Sequence, residues 1–264
     1  MKKVCCVLMM LSSFSFADTS LQCASVIDHV TATGSIKWYR NSAERNALYN
    51  QAYNMGAAYV ENWVSEHHPQ ASTWGVIIDI DETALDNSWY YHKCGGEPSN
   101  ESDFSHYVAN QKKSVALPGV RAFVNKVHNL GGYVTMVSNR DGSFKDETGN
   151  VLDSTLSNLK EQHIYFDQVV LANLSEAKVP KDKNPRFNAV INGNYDSHAM
   201  VWSNKLPPHK VIAFFGDNIQ DFPILKQSKM IKLDANDSTY GMFGKGYFIM
   251  PNPIYGSWTN NANN

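Results

Sequence analysis

Two aspartates at the end of an apolar run are the residues of this 264-residue chain best suited to chemistry. Asp79 and Asp81 close the apolar segment 74–80, and side chains two positions apart point to the same side of an extended strand. Carboxylates this close repel each other unless a cation lies between them or one carries a proton. The pair therefore indicates a metal site or acid–base chemistry, with a solvated acidic turn as the alternative. An EF-hand calcium loop is excluded because Ala84 and Tyr90 occupy the positions that need glycine and glutamate.

Oxygen donors also follow two later apolar runs. Ser138 and Asn139 offer a hydroxyl and main-chain N–H groups that could hold an anion. Asp217 and Asp221 follow a further apolar run and add two carboxylates. Such a set favours Mg²⁺, which takes a few carboxylates together with waters and phosphate oxygens. Zinc is disfavoured because these loops hold no His or Cys pair at ligand spacing.

A phosphate group would also need a fixed cation. Four basic residues cluster before the last of these runs: Lys178, Lys181, Lys183 and Arg186. Composition and spacing do not choose among them.

Strand-length apolar runs alternate with helical patterns along the chain. The predicted strands are 74–80, 133–137, 166–172, 211–215 and 230–233, and the predicted helices are 41–67, 118–130, 151–163 and 187–202. This order predicts an α/β fold with a doubly wound, mostly parallel sheet. Ligands of such folds bind beyond the carboxyl ends of the strands, where the polar residues above would lie.

Residues 84–117 are too long for an ordinary connection between a strand and a helix. We expect them to form a small, mainly helical cap inserted after the first strand, with a helix near residues 103–112. Trp89, Tyr90 and Tyr91 would offer ring faces for stacking a nucleobase or aryl group. The alternative is a surface loop whose aromatic rings fold back on the domain.

The first 17 residues are typical of a signal peptide. Two lysines precede the apolar run 4–10, and cleavage is predicted between Ala17 and Asp18. A retained membrane helix would need about 20 apolar residues, and serines interrupt this stretch too early. We therefore expect a single domain over 18–260 with a frayed tail at 261–264, located in the periplasm or secreted.

Charge and cysteine content limit the other possibilities. Lys plus Arg number 23 against 25 Asp plus Glu, and no block of like charge is present, which argues against binding to a nucleic-acid polymer. After export, Cys23 and Cys94 would remain, either as a disulfide or as two free thiols. Lipidation of Cys23 is disfavoured because Gln22 precedes it and Asp18 interrupts the apolar lead-in.

At these residues the chain resembles the haloacid dehalogenase (HAD) superfamily, and within it the bacterial class C nonspecific acid phosphatases, relatives of class B enzymes. The similar segments are DIDET at 79–83, VSNR at 137–140, GDNIQDF at 216–222, and the tracts 38–54 and 85–91. The family's lysine lies three residues before an Arg-Phe pair, which points to Lys183.

The resemblance implies a Mg²⁺-dependent acid phosphatase that hydrolyses small phosphomonoesters, including nucleoside monophosphates. Asp79 would attack phosphorus and form an aspartyl-phosphate, and Asp81 would act as general acid and base. The Asp79 side chain, the Asp81 carbonyl and Asp217 would bind Mg²⁺, and Asp221 would support that site. Ser138, Asn139 and Lys183 would bind the phosphate group. An acidic rate optimum is expected, because one carboxylate must be ionised and its neighbour protonated.

Three other functions remain open. A phosphotransferase would use the same residues to pass the phosphoryl group to an alcohol. A non-enzymatic relative could retain the fold, although here the nucleophile candidate Asp79 is present. An exported binding protein would need no ordered set of polar residues at strand ends. A transmembrane anchor is not expected, and homo-oligomers remain open.

Overall fold

The computed structural model describes residues 33–93, 101–111, 114–147 and 149–262. The predictions about the signal peptide and about a Cys23–Cys94 disulfide lie outside these residues and stay predictions.

A six-stranded sheet forms the centre of the fold. Within the described residues the strands are β1 (Trp74–Ile78), β2 (Leu85–Asp86), β3 (Val115–Ala116), β4 (Tyr133–Asp141), β5 (Lys145–Asp146), β6 (Gly149–Asn150), β7 (Gln168–Ala172), β8 (Met200–Trp202), β9 (Lys210–Gly216) and β10 (Tyr247–Ile249). The central sheet has the order β10-β9-β1-β4-β7-β8, and only the edge strand β8 runs antiparallel to its neighbour. The predicted α/β fold with a mostly parallel sheet is confirmed.

Helices flank this sheet. The helices of the described residues are α1 (Gly34–Asn41), α2 (Ala43–His67), α3 (Ser88–Lys93), α4 (Glu101–Gln111), α5 (Val120–Asn129), α6 (Val151–Glu161), α7 (Asn184–Asn192) and α8 (Gln227–Met230), of which α3 and α4 belong to the insertion after β1. Every residue of β1 and β7 is buried, as expected for parallel strands covered on both faces. Of the helices within the described ranges, none is long and apolar enough to cross a bilayer.

The long helix α2 lies close to the sheet. Its buried residues Tyr49, Tyr53, Gly56 and Val60 recur at spacings of three or four and form one face. A side chain at position 56 would overlap the ring of Phe215 in β9, so glycine permits this approach.

The insertion after β1 is mainly helical, as predicted. Its first and last segments, β2 and β3, pair with each other in antiparallel fashion, and α3 and α4 lie between them. The two ends of the insertion therefore meet close to the end of β1, and the cap stays attached to the edge of the sheet where ligands of such folds bind.

Two predictions about the later elements are wrong. The run 230–233 is not a strand: α8 ends at Met230, and β10 occupies the edge of the sheet instead. The helix predicted over 187–202 ends at Asn192, because Gly193 takes φ +74°, and the segment continues into β8. Periodicity cannot separate a strand from a helical turn in so short an apolar run.

Candidate active site

Three carboxylates meet at the carboxyl ends of β1 and β9. Asp79 directly follows β1, Asp217 directly follows β9, and Asp221 ends a 3-10 turn. One carboxylate oxygen from each of the three lies within 4.8 Å of the others. Asp79 and Asp221 are both 5% exposed. The sequence prediction that these strand ends converge is therefore matched by the geometry.

Lys183 supplies a cation to this cluster. Its Nζ contacts Asp79 Oδ1 and lies 2.6 Å from Asp221 Oδ1, and the residue is 3% exposed. Burial lowers the pKa of Lys183, but Asp221 and Asp79 outweigh burial and raise it above its usual value. The lysine therefore stays charged. It lies directly before α7, which holds it between the ends of the two strands.

One lysine does not neutralise the cluster. Burial, opposed by Lys183, raises the pKa of Asp79 well above its usual range. Burial and the charge of Asp221 raise the pKa of Asp217 to about 8. Both shifts come mainly from burial, to which the neighbouring carboxylates add, and a divalent cation at the carboxylates would favour their ionised forms. The donor set, carboxylate oxygens alone, is the chemistry that Mg²⁺ prefers.

Thr83 and Asn252 orient the carboxylates. Thr83 Oγ1 lies 3.3 Å from Asp79 Oδ2 and 3.2 Å from Asp217 Oδ1, so its one proton is shared between them. Asn252 Nδ2 donates to Asp217 Oδ2 at 2.7 Å. Thr83 is part of the DIDET segment, but no sequence signal pointed to Asn252, which is 35 residues beyond Asp217.

Asp81 faces the end of β4. Ser138 Oγ donates to Asp81 Oδ2 at 2.8 Å, and Arg140 Nε donates to Oδ1 at 2.9 Å. Asn87 Nδ2 donates to the same Oδ1 at 2.8 Å. Arg140 is 4% exposed, whereas Asp81 is partly exposed, so the arginine end of this ion pair is buried. Arg140 belongs to the VSNR segment, but sequence reasoning assigned it no role.

Comparison with known proteins identifies the family of the chain. The sequence matches the model of the HAD superfamily, subfamily IIIB (acid phosphatase), over residues 17–258. The chain belongs to this family. It is therefore a phosphomonoester hydrolase of the acid phosphatase type, as the sequence resemblance implied.

Two solved structures resemble the phosphatase along most of their length. The class C acid phosphatase from Bacillus anthracis is 27% identical with a TM-score of 0.64, and the alignment covers 85% of this chain and 84% of that one. A structure of class C acid phosphatase from the same organism with tungstate bound is 28% identical, with a TM-score of 0.65 and the same coverage.

The three residues predicted to bind phosphate each make different contacts in the phosphatase. Lys183 lies among the carboxylates, and the Ser138 hydroxyl donates to Asp81. The exposed Asn139 accepts a hydrogen bond from the buried Arg186 through its side-chain oxygen. Arg186 thus connects the end of β4 with α7, and burial lowers its pKa to about 10.

The cap aromatics of the phosphatase pack together. Tyr90 and Tyr91 are 1% and 2% exposed, and both rings pack against Phe104. Trp89 is half-buried and stacks on Tyr107, with ring centroids 6.0 Å apart. Of the three aromatics named from the sequence, Trp89 is the most exposed, so the prediction of substrate stacking rests mainly on it.

Proposed function

We propose that this phosphatase is an exported, Mg²⁺-dependent enzyme that hydrolyses phosphomonoesters, including nucleoside monophosphates, through an aspartyl-phosphate. The observation that carries the proposal is the group formed by the buried Asp79 and Asp221 and the partly exposed Asp217 around Lys183 at the ends of β1 and β9. The proposed nucleophile, a lysine cation and carboxylate oxygens that could bind a metal lie together there.

Asp79 is the proposed nucleophile. Its carboxylate attacks phosphorus in line with the departing oxygen, forming the aspartyl ester as the bond to the alcohol breaks. Lys183, which contacts Asp79 Oδ1, lies where it can neutralise a phosphoryl oxygen brought up to that carboxylate. Main-chain N–H groups near Asn139 are proposed to bind the same oxygens, with Ser138 supporting them.

Asp81 is the proposed general acid and base. It gives its proton to the departing alkoxide and then takes one from the water that hydrolyses the aspartyl ester, so protons balance over one cycle. Ser138, Arg140 and Asn87 all donate to this carboxylate and hold it in one orientation. In this proposal the two aspartates of the DIDET segment have separate roles.

The residues present fit a magnesium ion. Asp79, Asp217 and the Asp81 carbonyl would hold it. Asp221 would stay outside, because its Oδ1 is paired with Lys183 and its Oδ2 accepts from the Asn218 N–H at 2.9 Å. When bound, Mg²⁺ supplies positive charge that keeps the nucleophile ionised and neutralises phosphate oxygens.

The substrate part of the proposal has two supports. The structure with tungstate bound shows that a related class C phosphatase accepts an oxyanion similar to phosphate. The half-buried Trp89 on the cap offers an aromatic surface to a nucleobase. Export rests on the sequence of residues 1–17 alone.

The test is phosphate release from p-nitrophenyl phosphate, adenosine monophosphate and glycerol phosphate between about pH 4 and pH 8. Asp79→Asn and Asp217→Asn are expected to lower turnover at least about 10³-fold. Asp196→Asn, at an exposed carboxylate before β8, is the matched control and is expected to match the wild type. Turnover that survives a chelator, or survives in Asp79→Asn, would contradict the proposal.

A further inference from the structure

Two phenol groups of α2 hold the turn that contains the DIDET segment. Tyr53 Oη donates to the Thr83 carbonyl at 2.9 Å, and Tyr49 Oη donates to the Glu82 carbonyl. Residues 49 and 53 are four positions apart on the helix, so they lie on one face and reach consecutive peptide groups. Burial raises the pKa of both phenols well above its usual value, so both remain protonated donors.

The turn held in this way is strained. Glu82 has φ +54°, in the left-handed region that residues other than glycine avoid. Rotation about this φ turns the peptide plane that contains the Asp81 carbonyl oxygen. Such a conformation persists only when its surroundings hold it. Besides Tyr49, two other groups hold Glu82 in this conformation. The Leu85 carbonyl accepts a hydrogen bond from the Glu82 N–H at 2.8 Å, and the Tyr255 hydroxyl donates to the Glu82 carboxylate.

We propose that Tyr49 and Tyr53 are positioning residues that direct the Asp81 carbonyl toward the divalent cation. The inference rests on the proposed function, in which this carbonyl is one of the metal ligands. Hydrogen-bonding partners that orient metal ligands typically contribute about 10–100-fold to metal affinity. Helix α2 therefore takes part in metal binding, although none of its residues reaches the carboxylate cluster as a ligand.

The contribution of the hydroxyls can be separated from that of the rings. The Tyr53 ring packs between Phe123 and Phe215, with centroids 5.5 Å and 5.6 Å away. The Tyr49 ring packs edge-on against Tyr39 at 6.3 Å. Replacement by phenylalanine keeps these packing contacts. Tyr53→Phe removes the hydrogen bond to the Thr83 carbonyl and is the cleaner test. Tyr49→Phe removes the bond to the Glu82 carbonyl and also the contacts of its hydroxyl with the Tyr39 hydroxyl at 2.7 Å and the Pro251 carbonyl at 3.4 Å. Tyr59, on the same helix and packed against Phe248, is the matched control.

The experiment measures Mn²⁺ binding to the metal-free full-length protein by electron paramagnetic resonance, together with kcat and KM as Mg²⁺ is titrated. Tyr49→Phe and Tyr53→Phe are each expected to weaken Mn²⁺ binding about tenfold. At limiting Mg²⁺ kcat should fall with little change in KM, and saturating Mg²⁺ should restore it. Tyr59→Phe is expected to bind Mn²⁺ as the wild type does.

The outcomes separate the inference from the proposed function. Normal Mn²⁺ binding by the wild type together with Mn²⁺ affinity within about twofold of it in both phenylalanine variants would overturn the inference alone. A loss of kcat that saturating Mg²⁺ does not restore would also overturn it, since that result indicates general damage to the fold. A wild type that binds no Mn²⁺ and works in chelator would overturn the proposed function as well. Each variant decides independently if the other fails to fold.

Discussion

Replacing Lys183 by methionine tests the charge balance of the site. The substitution keeps an unbranched side chain of similar length and removes the cation that Asp79 and Asp221 share. Lys183 and both carboxylates have side chains only 4% to 6% exposed, so water cannot replace the lost charge. Removing one partner of a buried ion pair costs about 3–5 kcal/mol in the free energy of unfolding. In a domain of this size each kcal/mol lowers Tm by about 2–4 °C, so we expect a loss of about 6–20 °C.

The size of this loss depends on pH. Without Lys183 the pKa of Asp79, already raised by burial, rises further, so above about pH 4 the folded variant keeps a proton that the unfolded chain has released. The free energy of unfolding of the variant then falls as pH rises from about 4 toward neutral. Its loss of stability relative to the wild type is therefore largest near neutral pH and smallest at about pH 4. Turnover is expected to fall about 10²–10³-fold, because a phosphoryl oxygen loses its neutralising charge.

The assay is thermal unfolding in chelator, followed by circular dichroism at about pH 4.5 and pH 7.5. Lys178→Met, at an exposed lysine in the same basic cluster, is the control and should change Tm little. A Tm loss in Lys183→Met that is as small as in the control, or that is equal at both pH values, would refute the assignment of Lys183 as the buried cation.

Three further results are expected. Arg140→Gln should lower kcat/KM for an alkyl phosphate about 10²-fold and kcat/KM for p-nitrophenyl phosphate much less, because this ratio covers the steps up to release of the alcohol and p-nitrophenolate leaves without a proton. Equal losses in kcat/KM would contradict the role of Arg140 in orienting Asp81. Because the pKa values of Asp79 and Asp217 are raised, the metal-free wild type should lose stability as pH rises from about 5 to 8. Mg²⁺ should raise Tm most at the upper end of this pH range, and an increase in Tm that does not depend on pH would count against the site. Trp89→Ala should reduce kcat/KM for adenosine monophosphate about tenfold relative to glycerol phosphate, and an unchanged ratio would remove the stacking role.

The sequence predicted those parts of the fold that depend on local spacing. The buried strands β1, β4, β7 and β9 appear as apolar runs, and α2 appears as a regular pattern of buried positions, because periodicity follows from the geometry of the elements themselves. The short edge strands β8 and β10 were missed. Strands of three residues are too short to show a clear hydrophobic pattern, and whether they form depends on pairing with strands elsewhere in the chain.

The residues of the site also divide into those that sequence could identify and those that depend on tertiary packing. Asp79, Asp81 and Asp217 could be found from sequence because each follows an apolar strand, and the order of strands brings their ends to one edge of the sheet. The choice of Lys183 among four basic residues followed from the family resemblance, and its placement between Asp79 and Asp221 is tertiary. It contacts a carboxylate 104 residues away, a separation that no local pattern encodes.

Only the tertiary structure showed that Arg140 pairs with Asp81 and that Tyr49 and Tyr53 hold the turn after β1. In the sequence, these residues look like an ordinary surface arginine and ordinary aromatic core positions. Their role arises from burial: once water is excluded, each polar group must find a protein partner, and that partner is set by packing between distant segments. Local chemistry and periodicity thus determined which groups are candidates for reaction and on which elements they lie, whereas long-range packing decided which neighbours orient them.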